Sequence, residues 1–152
     1  MIKLYHSWRD LESSLSTLIR KISLDDWKPD VIIGPGRGGY IPGVMLSHYY
    51  NIPFEGFTWQ TRDGNFEDFD ALKNILSKYH NSNILLVDDI NDSGKTLHSI
   101  SNFISEKTLI SNIKYATIYE KLTSSFDTDW CAIELPSDQE PWIVFPYEEW
   151  WT

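Results

Sequence analysis

The stretch Ile84-Leu85-Leu86-Val87-Asp88-Asp89-Ile90-Asn91-Asp92-Ser93-Gly94-Lys95-Thr96 decides the architecture. Ile84 to Val87 is an apolar run too short for a helix and too continuous for a half-exposed strand. It reads as a strand buried on both faces, ending in two acids. Gly94 then permits tight backbone curvature. Leu97, Ile100, Phe103 and Ile104 follow at helical spacing and predict a helix packed by that stripe. Strand, turn and helix in this order is the repeating unit of a parallel sheet.

The same unit recurs upstream. Val31-Ile32-Ile33 is a short buried strand ending at Gly34. Gly38-Gly39 opens a helix that tolerates Pro42 in its first turn and should turn Val44, Met45 and Leu46 inward. Before it, Ser7 with Asp10 marks a helix start, and Leu11, Leu15, Leu18, Ile19 and Ile22 give that helix one apolar face. Phe54 to Trp59 reads as a strand, Thr61 to Glu67 as a polar loop, and Leu72, Ile75, Leu76 and Tyr79 as a third helical stripe. Tyr115 to Tyr119 and Cys131 to Leu135 are further strands. The expectation is an α/β fold: an open, mainly parallel sheet flanked by helices, formed by residues 1–152 as a single domain. Ligands of such sheets bind beyond the carboxyl ends of the strands, where both Gly-rich loops and the acid pair fall.

Bulk properties narrow the function. The chain has 152 residues, 41% of them apolar, enough for one domain with a core of its own. A net charge of −9 argues against a surface built for nucleic acid or anionic membrane, which would need clustered Lys and Arg. No apolar run approaches the ~20 residues of a membrane helix. The N-terminal residues also lack the apolar core of a signal peptide, so a cytoplasmic protein is expected. Cys131 lies in a strand-like segment and reads as a buried, inert thiol. The four histidines show no ligand spacing, and Trp8, Trp27, Trp130, Trp150 and Trp151 read as core or subunit-contact residues.

Residues 92–96 offer one phosphate a pocket: hydroxyls from Ser93 and Thr96, the curvature of Gly94, and the free N–H groups of a new helix. Asp88 and Asp89 can accept hydrogen bonds from sugar hydroxyls or support Mg²⁺ through water. Gly94-Lys95-Thr96 is not a nucleotide triphosphate loop, because that motif needs a glycine where Asp89 stands. Gly34-Pro35-Gly36-Arg37-Gly38-Gly39 lacks dinucleotide-binding spacing, but its amides and one guanidinium form a nest suited to a diphosphate.

Together these loops resemble the type I phosphoribosyltransferase family, with Ser93 in place of its more usual threonine. The xanthine-guanine and hypoxanthine enzymes are the most similar members. The resemblance runs from the Arg37 loop to the Trp142 tail. It implies phosphoribosyl pyrophosphate and a purine base as substrates, Mg²⁺ as cofactor, and a homo-oligomer, dimer or tetramer. Asp88 and Asp89 would hold the ribose hydroxyls and the metal site. Asp92, Ser93, Gly94, Lys95 and Thr96 would wrap the 5′-phosphate, with Asp92 also facing N7 of the base. Gly36, Arg37, Gly38 and Gly39 would take the pyrophosphate, Arg37 neutralising it as it leaves.

Residues 58–64 occupy the place of the family's flexible flap, from which Arg62 would reach the diphosphate. A small C-terminal hood, residues 121–152, would carry Trp142 to stack on the base and backbone near Ile143 to meet its edge. Lys121 matches the lysine that contacts the oxygen at C6 of a purine and so favours 6-oxopurines: guanine, xanthine or hypoxanthine. Leu122 departs from the family's proline, and residues 123–129 fall outside its pattern. Two alternatives stand beside this reading: transfer to another base, such as adenine, a pyrimidine or an amide, and a non-catalytic nucleotide sensor on the same fold.

Overall fold

The computed structural model describes residues 2–60 and 66–152. A six-stranded sheet runs in the order β4-β3-β2-β5-β6-β7, with β2 (Val31–Gly36), β3 (Phe54–Gln60), β5 (Ile84–Asn91), β6 (Ile113–Lys121) and β7 (Trp130–Leu135) parallel. The short β4 (Phe66–Glu67) closes the β3 edge antiparallel. The helices are α1 (Trp8–Leu24), α2 (Tyr40–Tyr50), α3 (Phe69–Lys78) and α4 (Lys95–Lys107). A separate two-stranded parallel sheet joins β1 (Lys3–Tyr5) to β8 (Trp142–Val144).

Alternation along the buried strands sorts the core into two halves. Ile32, Leu85 and Val87 pack with Leu11, Leu15, Leu18 and Leu46, from α1 and α2. Val31, Ile33, Ile84 and Leu86 pack with Leu72, Leu76, Leu97 and Ile100, from α3 and α4. With helices on both faces, the central strands must be apolar on both sides, which is why they appear as unbroken runs.

Local chemistry places the helix starts. Ser7 and Asp10 form a reciprocal capping box at α1, and the Asp68 side chain accepts the Ala71 N–H at the head of α3. The apolar stripes of α1, α3 and α4 point inward as expected. On α2 the inward face is Pro42, Gly43, Leu46 and Ser47, and Val44 is exposed. Pro42 and Gly43 turn inward, the latter with its Cα close under the Phe54 ring. Leu46 and Ser47, one turn on, share that face, so Val44 is carried outward.

The strands β2 and β5 are the point at which chain direction across the sheet reverses. After β2 the chain moves outward to β3, and after β5 it moves the other way to β6 and β7. The crevice beyond their carboxyl ends is the place such sheets reserve for ligands. Among the described residues no helix is long and apolar enough to cross a membrane. Cys131 is a free, buried thiol whose pKa is pushed up to about 11, chiefly by burial.

Candidate active site

Strand β5 does not stop at Val87. It continues through Asp88 and Asp89 to Asn91, because Asp88, Ile90 and Asn91 pair with Thr117, Tyr119 and Glu120 of β6. Both carboxylates are therefore buried within a strand, rather than displayed at its end. The Asp89 N–H donates to Asp88 Oδ1 at 2.9 Å. Burial, then the neighbouring Asp89 charge, raises the Asp88 carboxyl well above the usual carboxylate range. Burial also raises Asp89, against the opposing pull of the Ile90 N–H. Two buried oxygen donors short of positive charge suit a hard divalent cation. Among the described residues no third His, Cys, Asp or Glu completes a metal cluster. A cation held here would fill its shell with water or substrate oxygens.

The first glycine loop reaches this acid pair directly. A Cβ built on Gly38 would sit 2.5 Å from Asp89 Oδ2 and 2.6 Å from its Oδ1, so only glycine lets the loop lie against the carboxylate. The Tyr40 ring packs over Gly36, and Gly39 heads α2. Arg37 stands in the same loop, near enough to Glu148 to pull its carboxyl pKa down against burial and the Asp89 charge, which raise it.

The second loop begins at Asp92, directly after β5. Gly94 adopts φ 91° at the head of α4, a conformation open to glycine. Ser93 Oγ accepts the Lys95 N–H at 3.3 Å, and Thr96 lies in the first turn of α4. Lys121 is the final residue of β6, one strand over, and its Nζ lies 2.7 Å from Asp92 Oδ1. Residues far apart in the chain thus meet at the carboxyl ends of adjacent strands.

The hood is built from both ends of the chain. Trp142 donates its N–H to the Ile2 carbonyl, and the Val144 carbonyl accepts from His6 N–H. Residues 142 and 144 therefore turn their peptide groups toward β1. Alternation then directs the N–H and C=O of Ile143 to the other edge of β8, while its side chain is buried. The Trp142 side chain is 43% exposed. Arg62 lies outside the described residues. Trp150 and Trp151 are exposed and no part of the core, whereas Trp130 is buried and donates to Asp25 Oδ2 at 2.6 Å.

Sequence reasoning missed Tyr147. Its hydroxyl reaches Asp89 Oδ2 and the Gly38 carbonyl, each at 3.4 Å, and joins the hood to both halves of the crevice. Burial and the nearby acids raise its phenol far above the ordinary value. No local pattern announces such a contact. An aromatic next to an acid in a Trp-rich tail was the one available signal.

These loops and acids, in this order on this sheet, accompany a family match: the phosphoribosyl transferase domain aligns with residues 2–150. The chain belongs to this family. Among phosphoribosyltransferases, it is similar to a solved purine phosphoribosyltransferase of Pyrococcus horikoshii, at 31% identity and TM-score 0.75. That match covers 98% of this chain and 95% of the other. A xanthine-guanine phosphoribosyltransferase of Cereibacter sphaeroides is 28% identical over 136 residues, 82% of this chain and 75% of that protein. Another of that name, from Idiomarina loihiensis, is 26% identical over 146 residues, 93% of this chain and 84% of that protein. The phosphoribosyltransferase fold expected from the sequence is the fold found.

Proposed function

We propose that this phosphoribosyltransferase moves ribose 5-phosphate from phosphoribosyl pyrophosphate to N9 of a 6-oxopurine, releasing pyrophosphate. The observation that carries the reading is the Lys121–Asp92 pair beside the phosphate loop. It sets a cationic donor and a carboxylate acceptor side by side. The donor suits a purine O6, and the acceptor suits a proton at N7. An amino group at C6, as in adenine, cannot accept from the lysine. Relatives named for xanthine, guanine and hypoxanthine support this choice.

In this reading Asp88 and Asp89 orient the ribose hydroxyls and hold Mg²⁺, whose charge, when it is bound, offsets that of the diphosphate. Arg37 and the amides of residues 36–39 hold the leaving group. Ser93, Gly94, Lys95 and Thr96 anchor the 5′-phosphate, turning remote binding energy into alignment of C1 with N9. Asp92 accepts the proton at N7. Trp142 stacks on the base, and Ile143 meets its edge through backbone groups. The resemblance assigns Arg62 a contact with the diphosphate. Exposed Trp150 and Trp151 suit contact between copies in a dimer or tetramer. The net charge of −9 fits small-molecule substrates and not nucleic acid.

A panel of free bases, incubated with Mg²⁺ and phosphoribosyl pyrophosphate and assayed for pyrophosphate, tests the proposal. Guanine, xanthine or hypoxanthine should be turned over and adenine poorly. No pyrophosphate with any base would refute transfer, and equal rates with adenine would refute the base assignment alone.

A further inference from the structure

Residues 122–128, between β6 and β7, fold back over the phosphate loop. The Ser93 carbonyl accepts two hydrogen bonds from one residue, Ser125: its backbone N–H at 3.0 Å and its Oγ at 3.0 Å. The segment itself is anchored. Ser124 Oγ donates to Asn91 Oδ1 at 2.9 Å, and Asn91 Nδ2 donates to Glu120 Oε1 at 2.8 Å and to the Phe126 carbonyl. Glu120 in turn accepts from Thr128 N–H at 2.9 Å and Thr128 Oγ1 at 3.0 Å. Asn91 is buried and its partners Glu120, Ser124 and Phe126 are partly buried, so the network anchors the strap from beneath.

A second observation ties the segment to the loop. A Cβ on Gly94 would sit 2.6 Å from Ser125 Oγ, 2.7 Å from Ser124 Oγ and 2.8 Å from the Phe126 N. Gly94 is therefore required by this strap as well as by its own φ of 91°.

The geometry has a directional consequence. A trans peptide is planar, and its C=O and N–H point opposite ways. Two donors holding the Ser93 carbonyl toward the strap thus turn the Gly94 N–H away from it, at the head of α4, where the first-turn amides lack intrahelical partners. If the peptide flipped, a carbonyl oxygen would face any anion bound there. Accepting the phosphate loop proposed above, we infer that Ser125 is a positioning residue: it fixes the Ser93–Gly94 peptide with its N–H toward the 5′-phosphate.

The test compares the unmodified protein with Ser125→Ala and Ser125→Thr. Ribose 5-phosphate binding is measured by calorimetry, and KM values for phosphoribosyl pyrophosphate and guanine, kcat and the thermal midpoint are measured alongside. Ser125→Ala should bind ribose 5-phosphate about fivefold more weakly and raise KM for phosphoribosyl pyrophosphate equally, the loss of one hydrogen bond. KM for guanine and the thermal midpoint should hardly move, and Ser125→Thr should restore binding. Unchanged ribose 5-phosphate affinity in Ser125→Ala would overturn the inference. So would parallel losses for both substrates with a lower thermal midpoint. Because ribose 5-phosphate binding needs no transfer, its ratio decides the role of Ser125 even if no base is turned over, a result that would defeat only the proposed reaction. An unmodified protein that does not bind ribose 5-phosphate defeats both.

Discussion

Lys121 Nζ lies 2.7 Å from Asp92 Oδ1, an ion pair between the two side chains that would frame a purine's imidazole and C6 edges. The lysine side chain is 17% exposed and the aspartate 34%, a partly buried pair in which removing one partner leaves the other uncompensated. Lys121→Ala should cut kcat/KM for guanine about tenfold or more while changing adenine turnover little. Trp142→Ala should weaken all bases alike, since every base offers a face for stacking. Steady-state kinetics with guanine and adenine on both variants check this. Loss of adenine and guanine turnover in equal measure for Lys121→Ala would contradict it.

The acid pair should trade stability for function. Burial and the neighbouring Asp89 charge disfavour the ionised form of Asp88, so Asp88→Asn should raise stability by about 1 kcal/mol, a few degrees in thermal midpoint. It should also abolish most Mg²⁺-dependent activity. Differential scanning calorimetry and a pyrophosphate assay on the same preparation test both halves. A lower midpoint would mean that the carboxylate is structural.

Gly38→Ala should be severe for its size. The added methyl would fall 2.5–2.6 Å from the Asp89 carboxylate, forcing loop and strand apart. We expect destabilisation of about 1–3 kcal/mol by denaturant unfolding, with loss of phosphoribosyl pyrophosphate binding. Near-normal binding by this variant would show that the loop has another way to seat.

Much of this fold is legible in residue order, and the illegible parts share a cause. The strand at Ile84 and the helix carrying Leu97 and Ile100 are visible because burial on both faces leaves an apolar signature. The extension of β5 to Asn91 is not, since charged residues inside a strand are held by backbone pairing with Thr117 and Tyr119 that hydropathy does not register. The tight turn into α4 is readable from Gly94. Ser124 and Ser125 read as ordinary loop residues, because their partners, Asn91 and Ser93, lie about thirty residues earlier. β1 has three residues, too few for periodicity to show. Val44 was expected inside because apolar residues usually are, yet an exposed valine on a helix costs little.

Arg37→Ala should weaken inhibition by pyrophosphate more than binding of the nucleoside monophosphate, because only the former needs charge in the first glycine loop. Product-inhibition constants for the two ligands measure this. Equal weakening would indicate a collapsed loop instead.

His6 gives a stability effect with a defined sign. Its Nδ1 lies 2.9 Å from the Tyr119 hydroxyl, and burial lowers its pKa below the ordinary 6.5, with the Asp10 charge opposing. The folded protein thus binds this proton more weakly than the unfolded chain does. The stability is fully present above about pH 6.5 and is lost as pH falls toward the folded value. The thermal midpoint should drop between about pH 7.5 and about pH 5.5, and His6→Gln should flatten that drop. An unchanged slope in the variant would assign the effect to other groups.

The pairing of Lys3–Tyr5 with Trp142–Val144 bears on the order in which the molecule matures. Every other parallel pairing joins strands separated by a single crossover or a few, whereas this one closes nearly the whole chain into a ring. Its closure entropy is the largest in the fold, and two three-residue strands repay little of it. During synthesis the central sheet can therefore form its pairings while Trp142–Val144 are still unmade. The surface that would receive the base is finished only when Trp142–Val144 reach Lys3–Tyr5. Until that moment the core on the α1 side also lacks Ile143 and Phe145, which are buried with Leu11 and Tyr119, and any reactive sugar phosphate the chain met would be bound without being sheltered.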